Sequence, residues 1–240
     1  MKPIESVPAL KRRARLLARG AGIPLHAALD RIAAEHGYAG WSRLSARLAE
    51  AGIARAFHAR LAPGDLVLLG GRPGQGKTLM GLRLAAEAVR AGNRSAFFTL
   101  EYSRRDMSDR LRAIGMAASD LAGAFTFDTS EAISAGHVAA NLRAAPPGTL
   151  AVIDYMQILD QDRTKPGLME QVTALRAFAR HAGATIVLIS QIDRSYDSSA
   201  KPFPDFGDVR LPNPLDLSLF DKACFLNAGK ARFHDRSPPG

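Results

Sequence analysis

From Pro63 onward the chain alternates between short apolar runs and longer stretches of helical periodicity. The apolar runs fall at Asp65–Gly70, Ser95–Leu100, Ala124–Phe127, Leu150–Asp154, Thr185–Ser190 and Lys222–Asn227. Runs such as LVLLG, LAVID and TIVLIS do not alternate apolar with polar. This is the pattern of strands whose two faces are both covered by helices. Helices are predicted between them at about 77–91, 103–115, 130–144 and 167–182. An α/β fold with a mostly parallel, doubly wound sheet follows. Ser195–Pro214, rich in Pro, Ser and Asp, reads as a long loop, and loops of that length in a compact domain often carry function.

The first 60 residues follow a different pattern. Residues 9–20, 24–36 and 40–51 each read as a short amphipathic helix, with Leu25, Ala28, Leu29, Ile32 and Ala33 at helical spacing. Pro24 suits a first helical turn. Gly20, Gly22, Gly37 and Gly40 punctuate the series, and Tyr38 and Trp41 are the expected aromatic plugs of a three-helix cluster. The predicted organisation is a small basic helical segment (1–57), an α/β domain (58–234) and a flexible tail (235–240).

Composition changes this picture little, and charge changes it more. At 47% apolar and 23% charged, the 240 residues are those of a protein with a real core. No apolar stretch approaches the roughly 18 residues of a membrane span. The basic N-terminus has no apolar run behind it, so neither a membrane partner nor a secretory signal is expected. The lone Cys224 lies in an apolar run and reads as a buried strand residue, which fits a reducing, cytoplasmic setting. The six histidines show no zinc-ligand spacing. Residues 1–60 hold 11 Lys and Arg against 4 Asp and Glu, whereas residues 61–240 hold 21 against 19. A basic segment beside a near-neutral core points either to an anionic partner, nucleic acid foremost, or to a solvated helix face.

Gly71-Arg72-Pro73-Gly74-Gln75-Gly76-Lys77-Thr78 fits G-x-x-x-x-G-K-[ST], follows an apolar strand and opens a helix that continues with Leu79. In such a loop the glycines let backbone N–H groups turn inward around phosphates, and the helix adds its N-terminal partial charge. Lys77 is expected to reach the β- and γ-phosphates and Thr78 to ligate Mg²⁺, which makes the chain a candidate Mg²⁺–ATP hydrolase. Asp154 ends an apolar strand, where a carboxylate can hold the metal through water. Hydrolysis also needs a group to orient or deprotonate water. Glu101 ends another strand and is a candidate, its rival role being a loop acid before a helix capped by Ser103 and Asp106. Gln191 ends a third strand, either as a γ-phosphate sensor or as a polar terminus.

The P-loop GRPGQGKT, the strand end FFTLEYS, the strand IDYMQIL, ISQIDRS, GDVR at 207–210 and Gly229-Lys230-Ala231-Arg232 occur in the order found in bacterial replicative DNA helicases of DnaB type. The chain resembles that family over about 170 residues, Gly64 to Phe233. The resemblance implies a RecA-like P-loop ATPase core, with Glu101 as catalytic base, Asp154 as metal carboxylate and Gln191 as the link from γ-phosphate to the following loop. It further implies that Lys230 and Arg232, otherwise basic loop residues, reach a neighbouring subunit's site, with single-stranded DNA as partner and a ring or filament as the assembly. Arg163, Lys165, Arg194, Lys201 and Arg210 lie in the two loops expected to face that strand, the alternative for each being an ordinary surface charge. The departure is at the front, where a pattern unlike the family's larger helical domain precedes the core. The alternative expectation is therefore a RecA-like ATPase that remodels or loads proteins, or regulates, without unwinding DNA. A small-molecule kinase is a weaker alternative, because Ser195–Pro214 is too poor in arginine for a phosphate lid.

Overall fold

The computed structural model describes residues 6–160, 165–211 and 213–235, which divide into two compact units, one ending at Ile53 and one beginning at Ala54. In the first unit, α1 (Val7–Ala21) is capped by the Ser6 side chain, which accepts from the Ala9 N–H. It stops at Gly22, whose φ of 62° is left-handed and whose N–H turns back to Ala18. α2 (Leu25–Glu35) follows, then α3 (Trp41–His58), whose last turn belongs to the second unit. Leu10, Ala14, Ala28, Ile32, Ala33 and Leu44 form the core of this unit, and Tyr38 and Trp41 pack against it as the sequence predicts.

The second unit is built on a seven-stranded sheet: β1 (Leu66–Gly71), β2 (Ser95–Thr99), β3 (Phe125–Asp128), β4 (Leu150–Asp154), β5 (Thr185–Gln191), β6 (Lys222–Asn227) and β7 (Lys230–Asp235). Their order is β3-β2-β4-β5-β1-β6-β7, and every neighbouring pair is parallel except β6–β7. The helices are α4 (Lys77–Arg90), α5 (Arg104–Ala113), the single turn α6 (Ala118–Leu121), α7 (Ala135–Leu142) and α8 (Leu168–Ala182).

The apolar runs of β1, β2, β4 and β5 lack alternation because both faces of these strands are covered. Leu66, Leu68, Ala151, Ile153, Ile186 and Leu188 share a core with residues of α7 and α8. α4 lies on the opposite face. A Cβ added at Gly81 of α4 would come within 3.0 Å of Val152 and Ile189, so glycine there lets the helix settle directly on the sheet.

Two expectations are corrected. Lys230 and Arg232 lie in a strand, not in a loop, because Ala228 (φ 48°) and Gly229 (φ 72°) turn the chain back on β6 as a two-residue hairpin. Asp235, assigned to the tail, closes β7 and pairs with Arg60, while residues 236–240 lie outside those described. Phe233 stacks on Phe57 with ring centroids 5.1 Å apart, which anchors β7. The long loop contains two 3-10 turns, Arg194–Ser198 and Phe206–Asp208.

Candidate active site

The carboxyl ends of β1, β2, β4 and β5 form one edge, and strand register decides what meets there. Gly71 pairs with Gln191, and Thr99 pairs with Asp154. Between β1 and α4 the loop Arg72–Gly76 turns through Gly74 (φ 79°) and Gly76 (φ 80°), a left-handed backbone that costs an L-residue about 1–2 kcal/mol. Gly76 is the N-cap of α4, and no side chain caps that helix among the described residues. Its first-turn N–H groups are therefore free to hold an anion. Lys77 Nζ folds across the loop to donate to the Arg72 carbonyl at 3.1 Å.

Asp154 is 2% exposed, and its Oδ2 has no hydrogen-bond partner. Burial raises its pKa to about 6, with the Glu101 charge adding to the rise. The nearby Thr78 hydroxyl and the charge of Lys77 oppose it. A buried carboxylate oxygen without a partner costs free energy that a cation would recover. Its neighbour Thr78 offers an uncharged oxygen, and hard oxygen donors are the set that suits Mg²⁺. The residues present thus fit a divalent cation between Thr78 and Asp154. Half-buried Lys77 has its pKa lowered, chiefly by desolvation, against the opposing pull of Asp154 and Glu101. Glu101 itself is exposed two residues beyond β2, and its N–H donates to Thr99 Oγ1 at 3.1 Å.

On the other side of the P-loop, Gln191 is fixed through its backbone carbonyl, which accepts from Arg210 N–H at 2.9 Å. A cleft of about 470 Å³ opens between Arg72, Pro73, Gln191, Asp193, Arg194 and Arg210. Arg72 closes one wall. It forms a two-point pair with Asp197 (2.9 and 2.7 Å) and donates to the Ile192 carbonyl at 3.0 Å. The P-loop is thereby tied to the first turn of the long loop. A second tie joins it to the β6–β7 hairpin, where Ala228 N–H donates to Gln75 Oε1 at 2.7 Å. Asn227 Nδ2 completes the circuit, donating to Tyr196 Oη at 3.1 Å and to the Pro202 carbonyl at 3.0 Å.

The remaining predicted residues have varied surroundings. Lys230 is exposed, and Arg232, also exposed, lies with its guanidinium carbon 4.9 Å from the Phe203 ring centroid. Arg194 and Arg210 are exposed beside the cleft. Lys201 is held by Asp205 and Asp208, whose hydrogen bonds raise its pKa. Lys165 donates to the carbonyls of Glu131 and Ile133, both at 2.9 Å. Arg163 lies outside the described residues. Sequence reasoning missed the partners Asp197, Ala228 and Phe203, which lie far along the chain from Arg72, Gln75 and Arg232. The hairpin did leave a signal: an Ala-Gly pair between an apolar run and the alternating KARFH.

A P-loop at the switch point of a parallel sheet, opposite a buried carboxylate, defines a P-loop nucleotide hydrolase of RecA-like build. Residues 50–203 match the family model described as "ATPase: KaiC", and the chain belongs to that family. It is 27% identical over 177 residues to the replicative DNA helicase DnaB of Synechocystis sp., covering 61% of this chain and 20% of the relative. It is 26% identical over 137 residues to the DNA repair protein RadA of Brucella abortus, covering 55% and 29%. The chain therefore spans less than a third of the length of either relative.

Solved structures agree on the fold. The ATPase domain of G40P superposes with a TM-score of 0.54 at 17% identity, covering 68% of this chain and 69% of that one. A DnaB-like replicative helicase gives 0.55 at 17%, covering 68% and 47%. A KaiC-like protein of Pyrococcus horikoshii gives 0.50 at 19%, covering 68% and 70%. The RecA-like core and the kinship with DnaB-type ATPases read from the motifs both stand.

Proposed function

We propose that this ATPase couples ATP hydrolysis to action on single-stranded DNA as a DnaB-type motor, with sites shared between neighbouring protomers of a ring or filament. The observation that carries the reading is the unpartnered, buried Oδ2 of Asp154 beside the Thr78 hydroxyl, under an uncapped helix N-terminus. In this reading the P-loop amides and the start of α4 hold the phosphates, and Lys77 exchanges its Arg72 carbonyl for the γ-phosphate. Thr78 and Asp154 would hold Mg²⁺, which would supply positive charge against the phosphates. Glu101 accepts a proton from the attacking water. The new bond joins the water oxygen to the γ-phosphorus as the bond to ADP breaks and its electron pair stays on ADP. Gln191 senses the γ-phosphate, and Arg232 with Lys230 stabilises charge in the neighbour's site. Exposed Arg194 and Arg210 beside the cleft, and relatives named for DNA replication and repair, support DNA as the partner.

A second reading, an ATPase that loads or remodels proteins without unwinding DNA, draws on Lys201 and Lys165. Both cations are satisfied within the chain and offer little to phosphates. Measuring ATP turnover with and without single-stranded DNA, with Lys77→Ala as the blank, separates the two. Several-fold stimulation is expected, and a basal rate indifferent to DNA would favour the second reading.

A further inference from the structure

The helical unit carries a charge pattern that its own fold does not use. α1 holds Lys11, Arg12, Arg13, Arg15 and Arg19 and no carboxylate. At about 100° per residue, Leu10, Ala14, Leu17 and Ala18 share one side of the helix, and all four join the unit's core. Arg13 flanks that side and pairs with Glu35. Lys11, Arg12, Arg15 and Arg19 fall within an arc of about 100° that turns away from that side. All four are exposed, and none has an ion-pair partner among the described residues. Lys11 with Arg15 and Arg15 with Arg19 are i,i+4 pairs of like charge, an arrangement that works against the helix. Leu16 borders the arc and is 70% exposed.

We infer that this face of α1 binds the sugar–phosphate backbone of a nucleic acid, as a contact separate from the ATPase loops and independent of nucleotide. Four cations spaced along about 12 Å of helix match a polyanion with a charge every few ångströms, and three of them are arginines, whose fork suits phosphate. A membrane surface fits less well. An interfacial helix needs a free apolar face, and that of α1 is spent on its own core, leaving only Leu16.

The test is titration of the full chain, without nucleotide, into a labelled single-stranded oligonucleotide and into a duplex at several salt concentrations. Replacing Lys11, Arg12, Arg15 and Arg19 together by Gln is expected to weaken binding at least tenfold. It should also flatten the dependence of log K on log salt by about three units. A variant with Arg12, Arg15 and Arg19 changed to Lys should keep the wild-type salt dependence. The Gln variant should melt no lower than wild type, because the change removes repulsion from an exposed face, and its basal ATP turnover should be unaltered. Unchanged affinity and salt slope in the Gln variant would overturn the inference. So would binding of polyglutamate, or of phosphatidylserine vesicles, as tight as that of the oligonucleotide. Absence of DNA stimulation of turnover would count against the motor reading alone and leave this contact standing.

Discussion

The P-loop edge and the β6–β7 hairpin use the same basic side chains in opposite ways. At the P-loop, Lys77 is half-buried, folded onto Arg72 and under the charge of two carboxylates. Its anion-binding donors are backbone N–H groups held by left-handed glycines, and the neighbouring Asp154 is sealed from water. On the hairpin, Lys230 and Arg232 stand exposed, and the only partner found for Arg232 among the described residues is the flat face of Phe203. The first region is assembled from the chain's own backbone and side chains. The second presents its charge outward to solvent. The Gln75 side chain joins the two regions directly, and Asn227 ties the hairpin to the long loop beside them.

The largest effect expected on this contrast comes from complementation. Lys77→Ala and Arg232→Ala should each lower turnover by about a thousandfold or more. Only the first should also weaken nucleotide binding. Mixing the two variants should restore part of the activity, because intact fingers from one protomer meet intact P-loops of the other. A mixture no more active than its components would place Arg232 outside any shared site.

A smaller effect is expected at the tie between P-loop and long loop. Arg72 is 20% exposed and Asp197 57%, so solvent screens the pair. A double-mutant cycle of Arg72→Ala and Asp197→Ala, read by denaturant unfolding, should give a coupling of about 1 kcal/mol or less. Strict additivity would mean that the two loops are not joined through this pair. The smallest effect is expected at the turn itself. Ala228 holds φ 48°, a conformation glycine adopts without strain, so Ala228→Gly should stabilise the protein by about 0.5–1 kcal/mol after glycine's entropic cost. A lower unfolding midpoint would mean that glycine's entropic cost exceeds the strain it relieves.

Much of the fold was legible because the information is local. The runs at Leu150–Asp154 and Thr185–Ser190 match β4 and β5 to within a residue, since a strand buried on both faces must be apolar throughout. The P-loop was legible for the same reason, since eight consecutive residues specify a backbone path. The carboxyl-edge position of Asp154, Gln191 and Glu101 followed from their places at strand ends. β7 was missed because its alternating pattern is short and half exposed, and because a turn carrying Ala at positive φ gives a weak signal. Lys201 read as a free cation although Asp205 and Asp208 follow within seven residues, because the 3-10 turn that brings them back to it leaves no periodic pattern.

By itself the sequence determined the α/β class, the continuous apolar strands, the phosphate loop and the basic helices of the first unit, all set by neighbours within a turn or two. Tertiary structure alone decided which charges are spent and which are free: Asp154 left with an orphaned oxygen, Arg72 locked to Asp197 across 125 residues, Lys230 and Arg232 exposed. The reason is physical. A side chain's charge is balanced by whatever packing brings within a few ångströms, and those partners lie far away along the chain.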